Sequence, residues 1–141
     1  MFAPRTIPGY PKSILAVDDD PVLRAFADAE LAVGGARVTT ARDGAAAMQH
    51  IANENFDVIV LDLEMPNMTG FQVLQQLRAA HRTASLPVVI LTSRDDAEAA
   101  VKAFDAGATA YAMKPVNWER LRQRVREVHQ ARQATGAQTK T

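Results

Sequence analysis

Apolar residues along the chain fall into four short, dense runs. They are ILAV at 14–17, VIVL at 58–61, PVVIL at 87–91 and AYAM at 110–113, with ARVTTA at 36–41 a weaker fifth. The runs favour Val and Ile and do not alternate with polar residues. That pattern predicts strands covered on both faces, as in a parallel sheet. Longer segments of helical period lie between them, predicted over 21–33, 44–53, 70–81, 96–106 and 117–131. Each carries an apolar stripe: Leu23, Phe26, Ala27 and Leu31; Ala47, Met48 and Ile51; Phe71, Leu74 and Leu77; Ala97, Ala100, Val101 and Phe104; and Trp118, Leu121, Val125 and Val128.

Punctuation supports this division. Gly34-Gly35 and Gly107 stand where helices should stop, and Asp43-Gly44 suits a turn that opens one. Asp20 before Pro21 fits an N-cap followed by proline in the first turn. The resulting βαβαβαβαβα order implies right-handed crossovers and a parallel α/β sheet with helices on both faces.

The 141 residues suit one domain. Sixteen basic and sixteen acidic side chains cancel, which argues against a general nucleic-acid or membrane-surface binder. Cysteine is absent, so disulfides and thiolate metal sites are excluded. The start, MFAPRTIPGYPKS, has three prolines and no apolar core, unlike a secretory signal. The expectation is a cytoplasmic protein with a loose arm over 1–12, a folded unit over 13–131 and a frayed tail over 132–141. His50, His81 and His129 are expected on helix surfaces.

Chemistry in open α/β sheets collects beyond the carboxyl ends of the strands. Asp18, Asp19 and Asp20 follow the first run, Asp62 the third, Thr92 and Ser93 the fourth, and Lys114 with Pro115 the fifth. Carboxylates a few ångströms apart repel strongly at low effective dielectric, so this set calls for a cation. Mg2+ fits a few carboxylates plus water and a phosphoryl oxygen. Thr92 and Lys114 then suit a phosphoryl group, one as a hydroxyl donor and one as a point charge.

ILAVDDDP, FDVIVLDLEMPNMTGFQVLQQLR, LPVVILTS and AGATAYAMKPV together resemble the receiver domain of two-component response regulators, over about residues 13–131. The resemblance implies a doubly wound, flavodoxin-like sheet of five strands in order 2-1-3-4-5 with five helices. It implies that Asp62 is the phosphoacceptor, attacking phosphohistidine on a sensor histidine kinase or a phosphotransfer protein. It makes Asp19 and Asp62 direct Mg2+ ligands, Asp18 a ligand through water and the Glu64 backbone carbonyl a further ligand; Mn2+ could substitute. Thr92 and Lys114 would hold phosphoryl oxygens. Tyr111 matches the switch aromatic, and Lys114-Pro115 a bond that is cis in the family. Glu64 and Arg94 are expected to face each other over the acceptor and limit its hydrolysis.

The implied activity is a signalling switch that catalyses only its own phosphorylation and dephosphorylation. The fourth helix, fifth strand and last helix would carry a downstream protein partner. No direct nucleic-acid or membrane contact is implied, and the expected state is a monomer or weak dimer. A stand-alone regulator is favoured. A receiver from a longer regulator, for example one with a cyclic-dinucleotide enzyme output, is the alternative. A haloacid-dehalogenase-type phosphatase shares the Asp, Thr/Ser, Lys and Mg2+ set. Here, however, the acid pair precedes the nucleophile and position 64 is Glu rather than the second Asp of a D-x-D motif. Arg120, Arg122, Arg124 and Arg126 crowd the last helix, and from 114 to 141 seven basic residues face two acidic ones. The default expectation for them is a solvated face.

Overall fold

The computed structural model describes residues 7–93 and 97–139, with side chains to residue 135. The strands are β1 (Ser13–Val17), β2 (Arg37–Ala41), β3 (Val58–Asp62), β4 (Val88–Ser93) and β5 (Ala110–Lys114). The helices are α1 (Pro21–Glu30), α2 (Gly44–Asn53), α3 (Gly70–Ala79), α4 (Ala97–Asp105) and α5 (Trp118–Thr139), with one 3-10 turn over His81–Thr83. All neighbouring strands pair in parallel, in the order β2-β1-β3-β4-β5. This is the predicted order, and each apolar run lies in a strand.

Alternate residues of the central strands face opposite sides of the sheet. Leu15, Val17, Ile59, Leu61 and Ile90 pack with α2, α3 and α4 through Ala47, Ile51, Leu74, Leu77 and Ala103. Ile14, Ala16, Val58, Val60 and Leu91 pack with α1 and α5 through Ala27, Leu31, Leu121, Val125 and Val128. Coverage on both faces holds for β1, β3 and β4. It fails for β2 and β5, the sheet edges, whose residues alternate or lie half-buried.

Caps set the helix starts. The Asp20 side chain accepts from the Val22 amide at 2.9 Å, with Pro21 in the first turn. Asp43 caps α2 through the Ala46 amide at 2.8 Å. Thr69 and Gln72 exchange side-chain-to-backbone bonds in a capping box on α3. Gly107 follows α4 with φ +107°, a backbone state that side chains resist. Asp20→Ala is expected to cost about 1 kcal/mol of stability. Urea unfolding reads that loss, and divalent-cation binding should stay within twofold of wild type.

Several boundaries differ from the sequence reading. α1 stops at Glu30 rather than residue 33. Leu31 takes the C-cap position, and the Tyr10 hydroxyl donates to the Leu31 carbonyl at 2.7 Å. Burial pushes the Tyr10 pKa up to about 12, against the pull of Arg122, so the hydroxyl remains a donor. Residues 7–12 therefore pack through Tyr10 rather than hanging loose, and residues 1–6 of the expected arm lie outside the described residues. α5 continues to Thr139, so the expected tail prolongs the helix. Its sequence from 132 to 139 holds no proline, and its one glycine does not end it.

Two apolar stripes face outward. Phe26 is 52% exposed and stacks on Trp118, with ring centroids 6.3 Å apart. On α4 the buried residues are Ala99 and Ala103, while Val101 and Phe104 are exposed.

Candidate acidic site at the carboxyl edge of the sheet

Strand register determines the site. Leu61 pairs with Val17, Asp62 with Leu91, and Ser93 with Lys114. The residues just beyond β1 and at the ends of β3, β4 and β5 therefore share one edge. Asp18, Asp62 and Thr92 are buried there, and Asp19 is exposed. One carboxylate oxygen from each of Asp18, Asp19 and Asp62 lies within 4.8 Å of the others. Lys114 Nζ stands 2.9 Å from Asp18 Oδ2 and 3.3 Å from Asp62 Oδ1. The Lys114-Pro115 bond is cis, as the resemblance implies.

The local backbone supports this arrangement. The Asp18 amide donates to the Ala41 carbonyl at 3.1 Å, which ties the start of the loop to β2. Asp18 Oδ1 accepts from the Asp20 amide at 2.9 Å. Arg24 Nη1 donates to the Asp18 carbonyl at 2.9 Å. Sequence reading missed Arg24, because a backbone partner leaves no trace in side-chain spacing. Its only signal was its place one turn into the helix that follows the acids. Asp20 works as the α1 cap, apart from the acid pair.

Three carboxylates and the Lys114 ammonium set the electrostatics of this edge among the described residues. Burial raises the Asp62 pKa to about 6, and the Asp18 charge adds to the rise. Lys114 and the Glu64 amide, which donates to Asp62 Oδ1 at 3.3 Å, oppose it. Burial pulls the Lys114 pKa down, but its contacts with Asp18 and Asp62 outweigh that and raise it. The Lys114 ammonium faces the buried Asp18 Oδ2 at 2.9 Å. One carboxylate oxygen from each of three acids within 4.8 Å is a donor set that could hold a hard divalent cation.

Other expected residues lie around this centre. The Glu64 side chain is exposed. Thr92 Oγ1 lies 3.5 Å from the Ser93 carbonyl. Tyr111 is 38% exposed on β5 and meets Phe104 edge-to-face at 5.7 Å. Arg94, the expected partner of Glu64, lies outside the described residues.

His50 and His81 are at least partly exposed, as expected, but His129 is buried. The reason is its position directly after Val128 on the α5 face that meets the sheet and the Tyr10 segment. The arginine row on α5 is mostly solvated, except that Arg122 reaches Glu30 Oε2 at 2.8 Å and ties α5 to α1.

Comparison with known proteins agrees with this geometry. Residues 14–126 match the response regulator receiver domain. The probable transcriptional regulatory protein TcrX of Mycobacterium tuberculosis is 37% identical over 122 residues, which cover 86% of this chain and 51% of that protein. The response regulator MprA of Mycobacterium leprae is 40% identical over 113 residues, covering 80% and 49%. The chain spans about half the length of these curated relatives. Among solved structures, the chemotaxis protein CheY4 of Vibrio cholerae superposes with a TM-score of 0.77 at 34% identity, over 82% of this chain and 97% of that one. A putative response regulator from Chloroflexus aurantiacus gives 0.80 at 30% identity, over 84% and 98%. Among the described residues no helix is long and apolar enough to cross a membrane. Sheet order, the acids at the strand ends and the matched span agree: this chain belongs to the response regulator receiver domain family.

Proposed function

We propose that the chain is a phosphoryl-accepting switch with Asp62 as acceptor. The observation that carries this reading is the convergence of Asp18, Asp19, Asp62 and Lys114 at one sheet edge. An Asp62 carboxylate oxygen attacks the phosphorus of a phosphohistidine on a sensor kinase or phosphotransfer protein. The P–O bond forms as the P–N bond breaks, and the leaving imidazole keeps the electron pair. Hydrolysis of the acyl phosphate later returns Asp62 and inorganic phosphate.

The chain's own groups prepare each step. Asp19 and Asp62 would hold Mg2+ directly, Asp18 through water, and Glu64 through its carbonyl; Mn2+ suits the same donors. When bound, the ion supplies charge that offsets the acids and the incoming phosphoryl oxygens. Lys114 places an ammonium beside the acceptor, and Thr92 offers its hydroxyl there. Val22, Phe26 and Trp118 form an apolar surface beside Lys114 and Pro115 that suits a protein donor.

The output lies on the α4-β5-α5 surface. Val101, Phe104, Tyr111 and Met113 are exposed apolar residues there, and a protein partner is the reading that such a patch supports. Movement of Thr92 toward the phosphoryl group would let Tyr111 turn inward and reshape it. The partner is a separate protein or an attached output domain reading the same surface.

The test is incubation with Mg2+ and acetyl phosphate, followed by intact-mass measurement. Wild type should gain one phosphoryl group, and chelation or Asp19→Ala should remove the gain. Wild type that stays unmodified in the presence of the metal overturns the proposal. So does steady turnover of a generic phosphomonoester, which would point to a phosphatase.

A further inference from the structure

A second cluster of chemistry lies at the opposite edge, where the strands begin. A cavity of about 360 Å³ opens there between the segment after α2, the 3-10 turn and the outer half of α5. Ile51, Phe56 and Leu86 form an apolar floor, and Arg82, His129 and Arg132 line the wall. The phosphoryl chemistry at Asp62 uses none of them.

Three observations point to a ligand. His129 is 8% exposed, and its Nδ1 is buried with no hydrogen-bond partner. Buried polar atoms are nearly always satisfied, so this nitrogen needs an explanation. Arg132 follows three residues on, on the same helix face, half-buried and making no ion pair or hydrogen bond among the described residues. Its charge presses instead on Arg78, whose pKa is lowered first by burial and then by Arg132. Arg82 donates to Asn55 Oδ1 at 3.0 Å and meets no carboxylate among the described residues.

Two carboxylates also line the cavity, but both are engaged. Asp57 Oδ2 accepts the amides of Lys12 at 2.9 Å and Ser13 at 3.2 Å. Glu54 pairs with Arg37 at 3.2 Å and lies 3.7 Å from His50. Glu54 thus has its own cation in Arg37, while Asp57 keeps its charge against neutral amides, so Arg82 and Arg132 meet one carboxylate charge in the lining and one positive charge is left over among the described residues. Guanidinium forks match the oxygens of a phosphate, and the remaining positive charge favours an anion there. The volume is that of a small-molecule site.

We propose that this cavity binds a small phosphate, held by Arg82, His129 and Arg132, with any organic body resting on Ile51, Phe56 and Leu86. The site is separate from the acceptor, so it stands or falls independently of phosphoryl transfer at Asp62.

Amide and imidazole NMR of the full chain tests it. Inorganic phosphate and ribose 5-phosphate are titrated separately, without divalent metal and at constant ionic strength set with chloride. Saturable shifts are expected at Asn55, Asp57, Thr83 and the His129 ring. Binding should weaken at least tenfold in Arg132→Gln while peaks of the central strands stay in place. Arg82→Gln serves if Arg132→Gln does not fold. Tighter binding of the ester identifies a phosphomonoester as occupant, and equal or tighter binding of the ion identifies free phosphate. The proposal is overturned by shifts that do not saturate, by shifts confined to the surroundings of Asp62 and Lys114, or by unchanged affinity in a folded variant.

Discussion

Asp62→Asn is expected to take up no phosphoryl group and, without metal, to be more stable than wild type. The loss follows from removing the attacking oxygen. The gain follows from the shifted pKa. The Asp62 carboxyl has a pKa of about 6 in the fold, against 3.8 for the free side chain. A raised carboxyl pKa means that the folded chain holds the proton more tightly than the unfolded chain. Below about pH 3 both states are protonated and no penalty exists. As pH rises toward about 6, the unfolded state ionises first and stability falls. Above that the penalty is complete, about 2–3 kcal/mol at 1.4 kcal/mol per pH unit.

Asparagine cannot ionise, so its stability should stay flat through this window. Urea unfolding with chelator at pH 7.5 should show the variant ahead by that order, and near pH 3 the two should agree. Equal stability at pH 7.5, or an equal gap at both pH values, would contradict the account. Added Mg2+ should then stabilise wild type more than the variant, because the ion offsets the same charges.

The second large effect is expected from Gly70→Ala. Gly70 opens α3, and its amide donates to the Leu63 carbonyl at 3.2 Å. A Cβ there would stand 2.8 Å from Leu63 Cα and closer still to the carbonyl oxygen of Asp62. Both are backbone atoms at the end of β3, held in the sheet, so neither can rotate away. The cost is expected to be about 3 kcal/mol or more, with the Asp62 carboxylate displaced. Gly44→Ala is the matched control. Its nearest contacts would be Met68 Cγ at 2.7 Å and Cβ at 2.8 Å, so Met68 must yield with its loop, which unlike the end of β3 is not held in the sheet. Thermal unfolding should separate the two variants clearly. Similar losses in both would contradict the backbone explanation.

Much of this was legible in the sequence because strands covered on both faces leave continuous apolar runs. β3 is the clearest case: VIVL is followed at once by Asp62, the proposed acceptor. Once register was assumed, the strand ends had to meet, and the acids, Thr92 and Lys114 came together.

Periodicity failed where a helix carries two apolar stripes. On α4 the larger side chains Val101 and Phe104 outweighed Ala99 and Ala103 in the pattern, yet the alanines face the sheet. Phe26 misled in the same way, because its partner is Trp118 across a helix pair rather than the core. His129 was misplaced because one polar residue beside a buried stripe reads as its exposed border. Arg24 and Tyr10 bond to backbone carbonyls, and side-chain spacing carries no record of such partners.

The alanine contact of α4 has a mechanical consequence. On one flank, α1 and α5 are fastened to each other by the Arg122–Glu30 pair and the Phe26–Trp118 stack, and the Tyr10 hydroxyl holds the end of α1. On the other, the buried residues of α4 are the small Ala99 and Ala103, which offer the core less contact area than the leucines and valines of the neighbouring helices. If Thr92 moves as proposed, α4 with Phe104 is expected to follow more readily than the cross-tied α1 and α5, and the output face would change while the opposite flank stays in place.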